Sequence, residues 1–478
     1  MKSHQLPVLT WGVLLALALF SCGGAQEPTT VAEELGSGNW GELVHPEWSK
    51  NATIYEVNVR QHTPEGTFAA LQADLPRIKE LGVDILWLMP IHPIGEVNRK
   101  GGTNQNNYLA KPGSGSLGSP YSVQDYTAVN PDMGTLEDLR SLVREAHRLG
   151  MRVILDWVAN HTAFDSRWTR EHPQFFLRDS LGNLQPPLGT DWWDVTQLDW
   201  AKGRENGLYM AMKDAMAFWL READIDGYRC DVAEKVPVDF WEEVRVELEK
   251  IKPDVFMLAE AEVPEHHRRA FDMSYGWHAH HLFNEVARLE YPVDSLRSYL
   301  VRERDRFPLG AYRMLFVTNH DENSWNGTTT ERMGANAQVL TVLAGTWFGM
   351  PLIYSGQEAG ETKRLSFFEK DSVDWGTYQD AELHRMLHQL VEKEEALWMG
   401  EAGAWPVEWP TDFPADVYAF SRKKGESEVR VALNFSDKPR KVRMNLSSEG
   451  FISAGGLEAG DEVLLPPNGW GIFVKKRP

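Results

Sequence analysis

The sequence predicts an α/β protein of parallel βα units, closed as an eight-unit (β/α)8 barrel or laid out as a doubly wound sheet. Three observations carry this. Apolar runs stopped by turn residues alternate with segments of helical spacing over about 350 residues. The chain has 478 residues, too many for one small domain and enough for a large core with an accessory domain. No Gly-x-Gly-x-x-Gly or P-loop pattern follows the first strand, which counts against a nucleotide-binding sheet.

The elements follow in order. Residues 53–59 (TIYEVNV) read as a strand, and 68–82 (FAALQADLPRIKELG) as a helix ending on Gly. Residues 83–90 (VDILWLMP) are a buried strand stopped by Pro90. Residues 135–150 open with a Thr cap and an acidic first turn, the start signal of a helix. Strand 151–158 (MRVILDWV) precedes helix 207–223, where Leu208, Met212, Ala215, Met216 and Trp219 share one face. Further strands are 225–231 (IDGYRCD), 255–260 (VFMLAE), 313–320 (RMLFVTNH) and 350–356 (MPLIYSG). Two long loops, 90–130 and 162–204, are placed to build a site. The barrel region is assigned to 51–400, with 162–204 as a short inserted loop domain after strand 3. Alternating β patterns with turn signals assign 401–478 to a C-terminal antiparallel, sandwich-like β domain.

The N-terminus has its own pattern. Lys2 precedes an apolar run from Val8 to Phe20, too short to span a bilayer comfortably, ending in Leu-Phe-Ser-Cys22. It resembles a bacterial lipoprotein signal. Residues 1–21 are then a signal peptide, Cys22 a lipid anchor, 22–50 a polar tether, and the protein exported and held to a bacterial membrane. With Cys22 lipidated, Cys230 has no intramolecular partner and a disulfide framework is excluded. Net charge is 49 − 69 = −20, which disfavours nucleic acid as a partner. Nineteen tryptophans suit core packing and, weakly, stacking on sugar rings.

Polar residues gather at the C-terminal ends of four strands: Asp156, Asn160 and His161; Arg229 and Asp231; Glu260; His320 and Asp321. In a βα barrel those ends share the face where active sites form. Strand period two turns Arg229 and Asp231 one way and Cys230 the other, which makes Cys230 a packing residue. An isolated Asp here reads as a helix cap and an isolated His as a satisfied polar group. Four carboxylates, one arginine and two histidines on one face exceed what capping needs. Paired carboxylates are the equipment of glycoside hydrolysis, one ionised as nucleophile and one protonated as acid, with a guanidinium to keep the nucleophile charged.

The motifs LDWVANH, GYRCDVAEK, FMLAE and FVTNHD, with GMPLIYSGQEAG near the end, resemble in order and spacing those of the α-amylase superfamily, glycoside hydrolase family thirteen. The resemblance implies a (β/α)8 TIM barrel and a retaining mechanism on α-linked glucans such as starch and maltooligosaccharides. It implies Asp231 as nucleophile, Glu260 as acid/base and Asp321 as the transition-state carboxylate, with Tyr121, His161, Arg229 and His320 binding substrate. A glucanotransferase on the same site is the alternative. No cofactor is required; calcium is admitted at Asn160, although Gln197 stands where the family often has aspartate. Glu234 and Lys235 replace the family's common Lys-His. Gly118 stands where many members that release single glucose carry aspartate, which leans toward chain-internal cleavage.

Overall fold

The computed structural model describes residues 43–103, 106–111 and 114–477. Eight parallel strands close a barrel: β1 Ile54–Val57, β2 Ile85–Leu88, β3 Arg152–Trp157, β4 Gly227–Cys230, β5 Phe256–Ala259, β6 Met273–Tyr275, β7 Tyr312–Leu315 and β8 Met350–Tyr354. Ile54 of β1 pairs with Ile85 on one side and Leu352 on the other, which shuts the ring and leaves no open edge. The doubly wound alternative is thereby excluded.

Strand alternation divides the core. Ile54, Ile85, Trp87, Ile154, Phe256 and Leu258 belong to one buried cluster inside the ring. Tyr55, Leu86, Val153, Leu155, Tyr228, Cys230 and Met257 belong to another, between strands and helices. Helix Phe68–Glu80 is capped by Thr67, and helix Leu136–Arg148 by a reciprocal box of Thr135 and Asp138. Helix Leu208–Ala223 buries the five face residues read from its spacing.

Three details depart from expectation. Strand β6 was not read from sequence: it has three residues, one of them Ser274, so it shows no apolar run. The chain turns helical at Val59–His62 rather than continuing as strand, because Asn58 and Gln61 bond side chain to side chain (3.0 Å). The expected tether ends early. His45 reaches Asp272 Oδ1 (3.0 Å) and Gly310 O (2.9 Å), and Trp48 packs on Phe256 under the Arg152 guanidinium. Residues 45–50 are thus docked on the barrel, since an aromatic and a dual hydrogen bonder found buried partners there. The expected signal peptide, Cys22 and the rest of the tether lie outside the described residues. Among the described residues no helix is long and apolar enough to cross a membrane.

The long loop after β3 is closed at its base by His161–Ala163 pairing antiparallel with Val195–Gln197. Beyond the barrel, Val407–Glu408, Val417–Lys424, Ser427–Asn434, Trp470–Lys475 and Phe451–Gly455 form, in that spatial order, a five-stranded antiparallel sheet. Arg440–Arg443 pairs with Glu462–Leu465 beside it. Tyr418 joins this sheet to the barrel layer by accepting a hydrogen bond from Trp347 (3.1 Å).

Candidate active site

The site grows from the register of β3, β4 and β5. Asp156 and Arg229 are register partners, so both side chains point into the ring. The fully buried Arg229 donates through Nη1 to Asp156 Oδ1 (2.9 Å) and Asp231 Oδ1 (3.0 Å), and through Nε to Tyr275 Oη (3.1 Å). Its Nη2 lies 2.8 Å from Glu260 Oε2 but off the hydrogen-bonding direction, a charge contact rather than an aligned bond. Glu260 Oε2 instead accepts the Val232 N–H at 2.8 Å. Val232 is left-handed (φ 36°, ψ 48°), a strained conformation for a β-branched residue. The strain lies between the two carboxylates and aims that amide at Glu260.

Asp156, Asp231 and Glu260 surround one guanidinium, so they cannot all carry full charge cheaply. Burial, then the charge of Glu260, pushes the Asp231 carboxyl well above the usual carboxylate range, with Arg229 opposing. Burial likewise raises Asp156 to about 6 against the pull of Arg229. Asp156 and Asp231 are thus both biased toward holding a proton above the usual carboxylate range. Arg229 therefore moderates the proton affinity of Asp231 and does not abolish it, a correction to the simple picture of a guanidinium that fixes the charge.

His320 has the opposite bias. Burial disfavours its charge, but Asp321 (3.4 Å) and Glu56, hydrogen-bonded to its Nδ1, outweigh burial and raise it to about 9. Its protonated Nε2 donates to Tyr121 Oη (2.7 Å), and Tyr121 donates to Asp156 Oδ2 (3.1 Å). The Tyr121 ring lies nearly parallel to those of His320 and Phe367, at 19° and 15°. His161 is held neutral, its pKa driven to about 3 by burial, and its Nδ1 accepts from Asn160 Nδ2 (3.2 Å).

The calcium admitted at Asn160 meets a competitor. Gln197 Nε2 donates to Asn160 O (3.0 Å), Asn160 Oδ1 (3.0 Å) and Leu198 O (3.1 Å). A cation needs those oxygens free, so these residues do not fit calcium; the amide takes its place and orients Asn160 toward His161. Among the described residues no group of three or more His, Cys, Asp or Glu is arranged to hold a metal.

Tyr121, His161, Asp231, Glu260, His320 and Asp321 all line one cleft of about 280 Å³, and Arg229 lies beneath it. Cys230 faces away, fully buried among helix-layer residues, and burial pushes its thiol up, the reverse of what a nucleophile needs. Glu262, on the same face had the strand continued, is bound to Arg313 (2.6 Å) because β5 stops at Ala259. Sequence reasoning missed Glu56, Trp87 and Tyr275 beneath the cleft, and Lys100, Asp194, Trp325, Phe367 and Phe368 in its walls. A carboxylate inside the apolar run of β1 was the available signal for Glu56. The wall residues had none, since they meet only through loops.

Residues 44–204 and 194–394 match the family profile described as "Alpha amylase, catalytic domain". The solved α-amylase of Lactobacillus plantarum is 30% identical, with a TM-score of 0.77 over 89% of this chain and 99% of that one. Neopullulanase 2 of Thermoactinomyces vulgaris is 26% identical over 87% of this chain and 75% of its own. The α-1,4-glucan:maltose-1-phosphate maltosyltransferase of Rhodospirillum rubrum is 36% identical over 231 residues, 46% of this chain and 32% of its own. The chain thus spans only about a third of that relative's length. The closed barrel, the strand-end carboxylates and these matches agree: the chain belongs to the alpha-amylase catalytic-domain family.

Proposed function

We propose that the protein is a retaining α-glycosidase that hydrolyses α-linked glucans such as starch and maltooligosaccharides. The observation that carries this is the pairing of Asp231 and Glu260 around the buried Arg229. Two carboxylates within reach of one guanidinium support the short separation of retaining enzymes, about 5–5.5 Å between carboxyl groups. The reactive form has Asp231 as the carboxylate and Glu260 as the acid: in the first step an Asp231 oxygen attacks the anomeric carbon, and the bond to the leaving oxygen breaks as Glu260 gives that oxygen its proton. Water then attacks the glycosyl-aspartate ester, Glu260 takes the water's proton, and Asp231 leaves as carboxylate. The Asp321 carboxylate supplies negative charge beside the oxocarbenium-like transition state. Tyr121 supplies a flat face below the ring; His161 and His320 hold its hydroxyls. No step needs a cation at Asn160.

A sugar hydroxyl can replace the water in the second step, and the maltosyltransferase similarity favours keeping that alternative. Product analysis on starch, pullulan, maltotriose and sucrose, with and without acceptor sugar, separates the two. Glu260→Gln should lower turnover of unactivated glucans roughly 10²–10⁴-fold and spare substrates with good leaving groups in the first step. Wild-type rates in that variant would remove Glu260 from the mechanism. Export and anchoring through Cys22 are proposed from the sequence, and membrane partition of the full chain tests them.

A further inference from the structure

One wall of the cleft is a seam of loops carrying Lys100, Asp194 and Phe368, none of them in the catalytic motifs. In the ring order, β5 with Glu260 lies opposite β1, and β2 and β8 flank β1. The loops after β2, β3 and β8 meet on that opposite side. Lys100, from the β2 loop, is buried; its Nζ donates to Asp191 O (3.0 Å) and pairs with Asp194 Oδ1 (3.2 Å) in the β3 loop. The same ammonium lies over the rings of Trp193 (5.3 Å) and Phe368 (5.9 Å), the latter from the β8 loop. Glu369 accepts from Gly102 N (2.5 Å) and Ser116 Oγ (2.8 Å), and Phe368 O accepts from Gly118 N (3.0 Å).

Gly118 is part of this seam. Its φ of +77° and a Cβ that would lie 2.8 Å from Arg99 Cγ both require glycine, and its carbonyl accepts from Arg60 (2.9 Å). The absent aspartate at 118 is therefore a packing requirement of the seam. On the Glu260 side, Glu234, Lys235 and His278 are exposed. Glu260 protonates the leaving oxygen, so the leaving chain lies on its side and the retained sugars on the side of the seam. The volume, about 280 Å³, is at the low end of ligand pockets, near 300 Å³.

We propose that this seal, centred on Lys100, makes the site specific for the non-reducing ends of α-glucans, from which it takes a short piece. The proposal rests on the α-glycosidase reading of the cleft and reverses the lean that Gly118 gave from sequence alone. The test compares a maltoheptaoside with a free non-reducing end and the same compound with that end blocked by a 4,6-acetal. Turnover is measured on the wild-type full chain, and binding on Asp231→Asn by calorimetry. The free-ended compound should be cut and bound, and the blocked one at least ~100-fold less. Lys100→Ala, with folding checked by thermal melting, should gain at least ~10-fold on the blocked compound. Should Lys100→Ala not fold, Asp194→Asn should show a gain in the same direction. Equal turnover of the two compounds by the wild type or equal binding by Asp231→Asn overturns the proposal, as does a folded Lys100→Ala with unchanged selectivity. Selective binding without hydrolysis would overturn the hydrolase reading while supporting the seal, and no binding of either compound would overturn both.

Discussion

Glu56→Gln tests the electrostatics beneath the cleft. Glu56 is fully buried, gives one carboxylate oxygen to His320 Nδ1, and has no partner for the other. The histidine is raised from 6.5 to about 9, which corresponds to roughly 3 kcal/mol of preference for the charged ring. Because the folded value is raised, that stability is fully present below about pH 6.5 and is lost as pH rises through about 9. Glutamine keeps an oxygen for the Nδ1–H and removes the charge. Asp321 alone then opposes burial, and the folded value falls. The variant should be less stable than wild type by about 1–3 kcal/mol below pH 6.5, and the two should converge above about pH 9. Chemical unfolding of both proteins across that range reads the difference. A gap that stays constant from acid to alkaline pH, or a wild type that gains stability on going from neutral to pH 9, refutes the assignment.

Two further outcomes are expected. Cys230→Ala should keep near-wild-type turnover and lose about 1 kcal/mol through a small cavity in the helix layer; a folded but inactive variant in kinetic assays would contradict the packing role. A chelator should leave wild-type melting unchanged, because Gln197 already occupies the oxygens of Asn160 and Leu198. Gln197→Asp should instead melt lower, by roughly 1–3 kcal/mol, and become sensitive to added calcium and chelator; wild-type melting that falls on chelation would show a bound cation.

Legibility in the sequence followed the range of the interactions. The strand-end motifs could be read because barrel strands alternate strictly, so Arg229 and Asp231 had to share a face that Cys230 avoids. Seven strands stood out as apolar runs, whereas β6, Met273–Tyr275, did not. Its pairing with Leu258 and Tyr312 comes from neighbours already in place, not from its own three side chains. The upward push of burial and of the Glu260 charge on the Asp231 carboxyl was not legible, since both act through space. The Lys100–Asp194 pair was illegible because each residue sits in a polar loop where a charge calls for no explanation until the loops meet.

The docked N-terminal segment fixes a direction for the whole molecule. His45 and Trp48 contact residues at the entry ends of β3, β5, β6 and β7, while the cleft opens at the exit ends. The described chain therefore begins at the pole opposite the catalytic mouth. Were Cys22 fixed in a lipid surface, the 21 steps from it to residue 43 would span at most about 75 Å and would join the barrel at the pole away from its mouth. A bulky polymer could then present its chain ends to the enzyme without threading between protein and membrane.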